Sequence, residues 1–340
     1  MRFLFSWLLL AGVLVSAGET YSFYLLSDTH WGAAETYDTK RFRGDIHRAE
    51  QAVPAYEKMF KHMVREGKDA RFLIHLGDMV EGNAKGKKEQ ERQLKEAVDF
   101  LKKSFSFPVY YVRGNHDGHG PGGKEAVRAV LLPEMARGIG VEKLPSYNYS
   151  FTSGPDLFIV TDYAKSAKGE AFILKTLKAQ KKKPRHVFIF VHVPVISSLT
   201  TPAWADTLAR YNAVVFSGHI HRSFLLQYSK NGKKLTQVTV SSWLPGKNGD
   251  KIRSVLQPKG KEIFKNFIQS QAKKFKKQSF MSLYEKEWEP YLAISSFRGN
   301  GYMKVCVSDT EITLLLQGSD SASQPVKTTV YLNNRKEGQK

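Results

Sequence analysis

Apolar residues recur along the first two thirds of the chain in short blocks, and each block stops at a polar residue or a glycine. Residues 21–27 read as a strand ending at Asp28, and residues 71–76 as a second ending at Gly77-Asp78. A third spans 108–112, just before Gly114-Asn115. Between these blocks the spacing changes. Over 49–65, Val53, Tyr56, Phe60 and Val64 fall on one side of a helix; over 88–104, Leu94, Val98 and Leu101 do the same. Strand alternating with helix predicts a layered α/β sheet.

Strand character returns at 146–153 and 157–161, followed by a helix over 169–180. Blocks at 186–190 and 213–217 lead into His192 and Gly218. The polar segments thus gather at one edge of the sheet, where open α/β sheets build their sites. Between 245 and 290 the pattern turns basic and aromatic, with helical runs over 261–275, and reads as an insertion or lid. Strands are expected again at 291–297, 302–307, 312–316 and 328–332. The expected organisation is a catalytic unit over 21–244, the insertion over 245–290, and closing strands with a polar tail over 291–340.

Composition adds three points. Residues 1–17 have a basic start at Arg2, an apolar run and small residues at Ser16-Ala17, the pattern of a secretory signal peptide cleaved after Ala17. That run falls short of the ~20 residues a bilayer span needs, and no later segment is apolar enough to cross. A secreted or periplasmic protein is expected. Cys306 is the only cysteine, so no internal disulfide can form, and stability must come from the core and from bound metal. The net charge of +20 is spread over separate lysine clusters at 85–88, 181–183 and 273–277. Such a field draws anionic substrates, and an anionic polymer or surface as partner. For specific binding the plainer reading, solvated helix ends and loops, is preferred.

The polar strand ends carry the chemistry. Asp28 and His30, one residue apart, would share a side of an extended segment, as would His219 and His221. Asp78 has two carboxylate oxygens and could bridge two cations, while Asn115 offers a carbonyl oxygen and His192 an imidazole. An oxygen and nitrogen set without thiolate suits Mn, Fe, Zn, Ni or Co. Singly, each segment is ordinary turn chemistry. Together they form a candidate dinuclear metal site. His47, His62, His75 and His186 read as surface or satisfied core groups. His119 lies close to His116 in a glycine-rich loop, and Trp31, Tyr163 and Trp243 are candidate pocket walls.

In order, these segments resemble the signature of the calcineurin-like metallophosphoesterase family: D-x-H, GD, GNH[DE], H and GHxH. The resemblance implies a four-layer α/β/β/α sandwich of two mixed sheets flanked by helices. It implies that Asp28, His30, Asp78 and His221 hold one metal ion, and that Asp78, Asn115, His192 and His219 hold a second. A hydroxide bridging the two would attack a phosphate ester. His116 would contact the phosphoryl group and protonate the leaving oxygen, with Asp117 orienting it. The purple acid phosphatase branch places a tyrosine where this chain has Glu81, so a metal–tyrosinate centre is not expected. A phosphodiesterase or nuclease, or a metal-binding envelope protein without catalysis, are the competing readings.

Overall fold

All six residues of β1 (Tyr21–Leu26) are buried, so both faces of this strand must be covered by other layers. The computed structural model shows what covers them. It describes residues 19–32, 46–162, 167–196, 202–241, 253–255, 257–274, 276, 279–298, 301–318 and 325–331. The leader-like run over 1–17, Tyr163 and Trp243 lie outside these residues, as does the side chain of His47.

Two mixed sheets form the centre. In the first, β1 pairs in parallel with β2 (Ala70–His75), and β2 with β3 (Val109–Tyr111). On the other side of β1, β12 (Gly301–Val307), β13 (Glu311–Gly318) and β14 (Val326–Tyr331) add antiparallel strands. The second sheet has a parallel centre of β5 (Asp156–Val160), β6 (Val187–Phe190), β7 (Val214–Ser217) and β9 (Lys233–Thr239). Antiparallel strands flank it: β4 (Tyr149–Ser153) at one edge, and β8 (Ser223–Lys230), β11 (Leu292–Arg298) and β10 (Arg253–Val255) at the other.

Period-2 alternation sorts the side chains between layers. Phe158, Phe188, Phe190 and Phe216 of the second sheet point toward the first and meet Phe23 edge-on, with centroids 5.7–6.3 Å apart. Phe23 also stacks on Phe72 at 5.1 Å. Their strand neighbours Leu157, Ile159, Val187, Ile189 and Val215 face the other way, into a separate core. Helices α4 (Ala167–Lys178), α5 (Pro202–Ala209) and α6 (Gln257–Lys274) cover that face with Ile173, Leu177, Leu208, Phe264 and Ile268. On the first sheet, Tyr24 turns outward and donates a hydrogen bond to the Met63 carbonyl, 3.0 Å away, on α1 (Ile46–Glu66). Beside α1 lie α2 (Lys87–Ser104) and α3 (Gly123–Gly138). A short α7 (Ser279–Leu283) follows α6. The result is the layered α/β sheet that the sequence pattern predicts, in the α/β/β/α arrangement that the family resemblance implies. Trp31 packs on Phe100 and Tyr56 in the outer helical layer, with centroids 4.8 and 6.3 Å away.

The two sheets are tied at one end, and loops of the first sheet are tied to each other at the opposite end. At the starts of β1 and β5, the wholly buried Asp156 accepts hydrogen bonds from Tyr21 (2.7 Å), the Arg185 guanidinium (2.5 and 2.9 Å) and the His186 backbone (3.0 Å). At the far end of β2, His75 links two loops. Its Nδ1 accepts from the Gly77 backbone N–H (3.2 Å), so the neutral ring carries its proton on Nε2, which donates to Thr29 Oγ1 (3.0 Å). Thr29 passes the chain on by donating to the Met79 carbonyl (2.9 Å).

Two outcomes follow from this packing. Phe23→Ala empties the centre of the inter-sheet core and should cost ~3–5 kcal/mol in denaturant unfolding. Burial, working against the pull of the Asp28 carboxylate, holds His75 at about 4. In the unfolded chain a histidine titrates near ~6.5, so between these values the unfolded state binds more protons. The neutral His75 therefore contributes fully above pH ~6.5, and its contribution is lost as pH falls toward 4. Relative to His75→Gln, the wild type should lose up to roughly 3 kcal/mol over that window. Parallel stability-against-pH curves for the two proteins would sink this assignment.

Candidate metal centre

All seven candidate ligands lie on loops that leave the parallel strands. Asp28 and His30 follow β1, Asp78 follows β2, Asn115 follows β3, His192 follows β6, and His219 and His221 follow β7. Two glycines let these loops touch. A Cβ on Gly114 would lie 2.0 Å from the Asp78 backbone nitrogen, and one on Gly218 would lie 1.9 Å from Ser27 Oγ. The Gly114 contact is with backbone, so that loop could not nest as it does with any other residue, while at Gly218 the side chains of Ser27 and Asp28 would have to move.

The local backbone differs from the extended segments expected of D-x-H and H-x-H. Asp28, His30, Asp78, His219 and His221 all have φ between 46° and 68°, the left-handed region that side chains other than glycine rarely adopt. These turns, and not strand alternation, aim the ligand atoms inward. Such conformations cost of order 1–3 kcal/mol each and concentrate at functional sites.

The structure brings the ligand atoms into two groups that share Asp78. Donor atoms of Asp28, His30, Asp78 and His221 lie within 4.8 Å of one another, as do those of Asp78, His192 and His219. Asn115 joins the second group, its Oδ1 3.1 Å from His192 Nε2. Other spacings are 3.0 Å for His192 Nε2 to Asp78 Oδ2, 3.1 Å for His221 Nε2 to Asp28 Oδ1, and 3.3 Å between the Nε2 atoms of His30 and His221. Ligands at ~2.0–2.2 Å from one ion are themselves ~3–3.5 Å apart, so these edges fit coordination shells.

Tautomers fit as well. His192 Nδ1 donates to the Leu76 carbonyl at 2.8 Å, and His30 Nδ1 lies 2.7 Å from the Glu81 carboxylate in an ion-pair contact. Each contact turns Nε2 inward, as an oriented metal ligand requires. The electrostatics ask for a cation. Burial alone would raise the carboxyl of Asp28, but the hydrogen bond and charge of His221 hold it at about 2. His192 holds Asp78 far below the usual carboxylate range despite its burial. Burial disfavours charge on His30 and His192, yet Glu81 lifts His30 and Asp78 lifts His192, each to about 9. Burial and the neighbouring His192 keep His219 down at about 4. Protons thus occupy places that a bound ion would take, and ion binding would release them.

Asp117 has a different job from the one expected. Its Oδ1 accepts from the Met79 and Val80 backbones (2.7 and 3.2 Å) and its Oδ2 from Gly114 (2.7 Å). It clamps the loop after β2 to the loop after β3 and makes no described contact with the His116 ring. His116 is instead held by Glu81: Nδ1 donates to the Glu81 carbonyl at 2.8 Å and lies 3.6 Å from its carboxylate. The His116 backbone N–H donates to Asp78 Oδ1 at 2.7 Å. Glu81, 3% exposed, therefore serves both the candidate ligand His30 and His116. Its place three residues after Asp78, ending an apolar run, is the sequence signal for it. Arg113 is engaged elsewhere, bidentate on Asp162 (2.6 and 2.8 Å) and over the Tyr147 ring.

No curated protein matches the chain by sequence. Solved structures with similar folds include GAP50, the anchor in the inner membrane complex of Plasmodium, at 16% identity and TM-score 0.54 over 93% of this chain and 90% of that one. Purple acid phosphatase PPD1 from yellow lupin (Lupinus luteus) seeds aligns at 11% identity and TM-score 0.53, over 92% of this chain and 54% of that one. A dimetal phosphatase from Danio rerio aligns at 13% identity and TM-score 0.51, over 92% and 98%. At such identities the likeness is one of fold. The sequence itself carries the family pattern across residues 21–223, a stretch that holds every candidate ligand and His116. This chain belongs to the calcineurin-like phosphoesterase family.

Proposed function

We propose that this protein is an exported hydrolase of phosphate esters that works with two metal ions. The observation that carries the reading is the sharing of Asp78 between two oriented ligand groups at one edge of the sandwich. Asp28, His30, Asp78 and His221 would hold one ion, and Asp78, Asn115, His192 and His219 the other. Bound there, the ions supply Lewis acidity that activates water and offsets the negative charge of the phosphoryl group.

The chain's own residues supply the rest. His116 lines the cavity above Asp78 and Asn115. Its Nδ1–H is committed to the Glu81 carbonyl, which leaves Nε2 as the atom that holds a proton for the departing oxygen. Asp117 keeps His116 in reach by fixing the backbones on either side. The net charge of +20 supports an anionic substrate, and the leader-like run over 1–17 supports export. Among the described residues no helix is long and apolar enough to cross a membrane.

Chelation should abolish hydrolysis of p-nitrophenyl phosphate, and adding back Mn, Zn, Fe, Ni or Co should restore it. The same assay on bis-p-nitrophenyl phosphate measures the diester rate. Failure of every metal to give turnover on either ester would overturn the reading. Asp78→Ala should lose bound metal along with activity. His116→Ala should keep its metal content and lose about 10²–10⁴-fold in kcat, most on poor leaving groups. Full activity of His116→Ala on alkyl phosphates would remove His116 from the proton-donor role.

A further inference from the structure

The cavity over the ligand cluster measures about 500 Å³, far more than a phosphoryl group fills and within the range of small-molecule pockets. Its wall is divided. One part is polar: Asp78, Asn115, His116, His119, His219 and His221. The other is apolar, from Val193, Pro194, Ile196, Ile220, Phe264 and Phe267. Phe264, Phe267, Gln271 and Lys274 recur at three- and four-residue spacing, so α6 turns one face to the cavity.

This wall is built in. Ile268 is wholly buried and Phe264 is 2% exposed. The Phe264 ring rests against Phe224 and Tyr284, at 5.2 and 5.9 Å, and Phe267 lies 6.0 Å from Phe264. At Gly260 a Cβ would come within 2.5 Å of the Ile294 carbonyl, so α6 lies tight on β11. Across the cavity wall, buried Gln237 pins the loop that carries Val193. It accepts from the Ile196 N–H at 2.6 Å and donates to the Ile196 carbonyl at 3.2 Å. The apolar surface is therefore formed before any substrate arrives.

We propose that the substrate is a phosphate ester whose organic group is apolar and at least the size of a phenyl ring, with Phe267, Ile196 and Ile220 setting the preference. This rests on the phosphoesterase reading of the site. A sugar or glycerol group set against Ile196, Ile220 and Phe267 would turn hydroxyls to carbon, at a cost in affinity, with polar ends offered only farther along α6 by Gln271 and Lys274. A polyanion would need cations along its path. Among the described residues lining the cavity, Lys274 is the single Lys or Arg. The deciding contribution at the cavity is burial of carbon.

The test compares 2-phenylethyl phosphate with ethyl phosphate, whose oxygens leave with similar ease, together with calorimetric binding of the two matching phosphonates, which cannot be hydrolysed. Burying the phenyl group should raise kcat/KM and tighten phosphonate binding on the order of 10- to 100-fold. In Phe267→Ala both ratios should fall below about 5-fold, while Phe267→Leu, which keeps an apolar wall, retains most of the preference. Thermal melts of both variants separate loss of the wall from loss of the fold. Equal handling of the two compounds by an active wild type overturns the apolar-substrate proposal and leaves the phosphoesterase reading intact. Hydrolysis of no ester and binding of neither phosphonate, with metal loaded, overturns both.

Discussion

Two carboxylates, Asp28 and Asp78, are kept ionised with almost no contact to water, and the remainder of the site answers to that fact. A buried negative charge is tolerable only when paired and hydrogen-bonded. The chain gives Asp28 the His219 backbone and the His221 ring, and Asp78 the His116 backbone and the His192 ring. These partners come from both sheets. The charges thus hold the sandwich together at the edge that carries the candidate metal centre, as Asp156 and Arg185 do at the other.

The division of labour among the acidic groups follows from what surrounds each. Asp28 and Asp78 face histidines and stay charged. Asp117 faces backbone N–H groups, and burial together with the charge of Asp78 pushes its carboxyl up. Its oxygens serve as a brace between loops, and a brace needs acceptors more than it needs charge. Glu81 stands between the two kinds, with its carboxylate on His30 and its carbonyl on His116. A shift of that one turn would move a ligand and the proposed proton donor together.

Much of the fold is legible in the sequence because the apolar blocks are short and end sharply. The ends of β1, β2, β3, β6 and β7 coincide with the polar segments that mark the site. The rest is hidden for particular reasons. α3 follows a glycine-rich entry and contains Pro133, both of which read as loop. The β8–β9 hairpin does not stand out by alternation, although Asn231-Gly232, with φ of 52° and 73°, forms the two-residue turn that joins it. Glu81 takes the orienting role expected of Asp117 because side-chain direction near the site is set by left-handed turns, which periodicity cannot express. The apolar face of α6 over the cavity depends on where β10 and β11 join the second sheet.

Those left-handed turns also bear on how such a chain can change over generations. Glycine adopts φ near 50° at no steric cost, whereas aspartate and histidine, though commoner there than most side chains, still strain the backbone. A descendant released from selection for chemistry would gain stability by drifting toward glycine at 28, 30, 78, 219 and 221. At all five positions the chain carries a side chain that could reach an ion in place of the hydrogen that would ease the backbone.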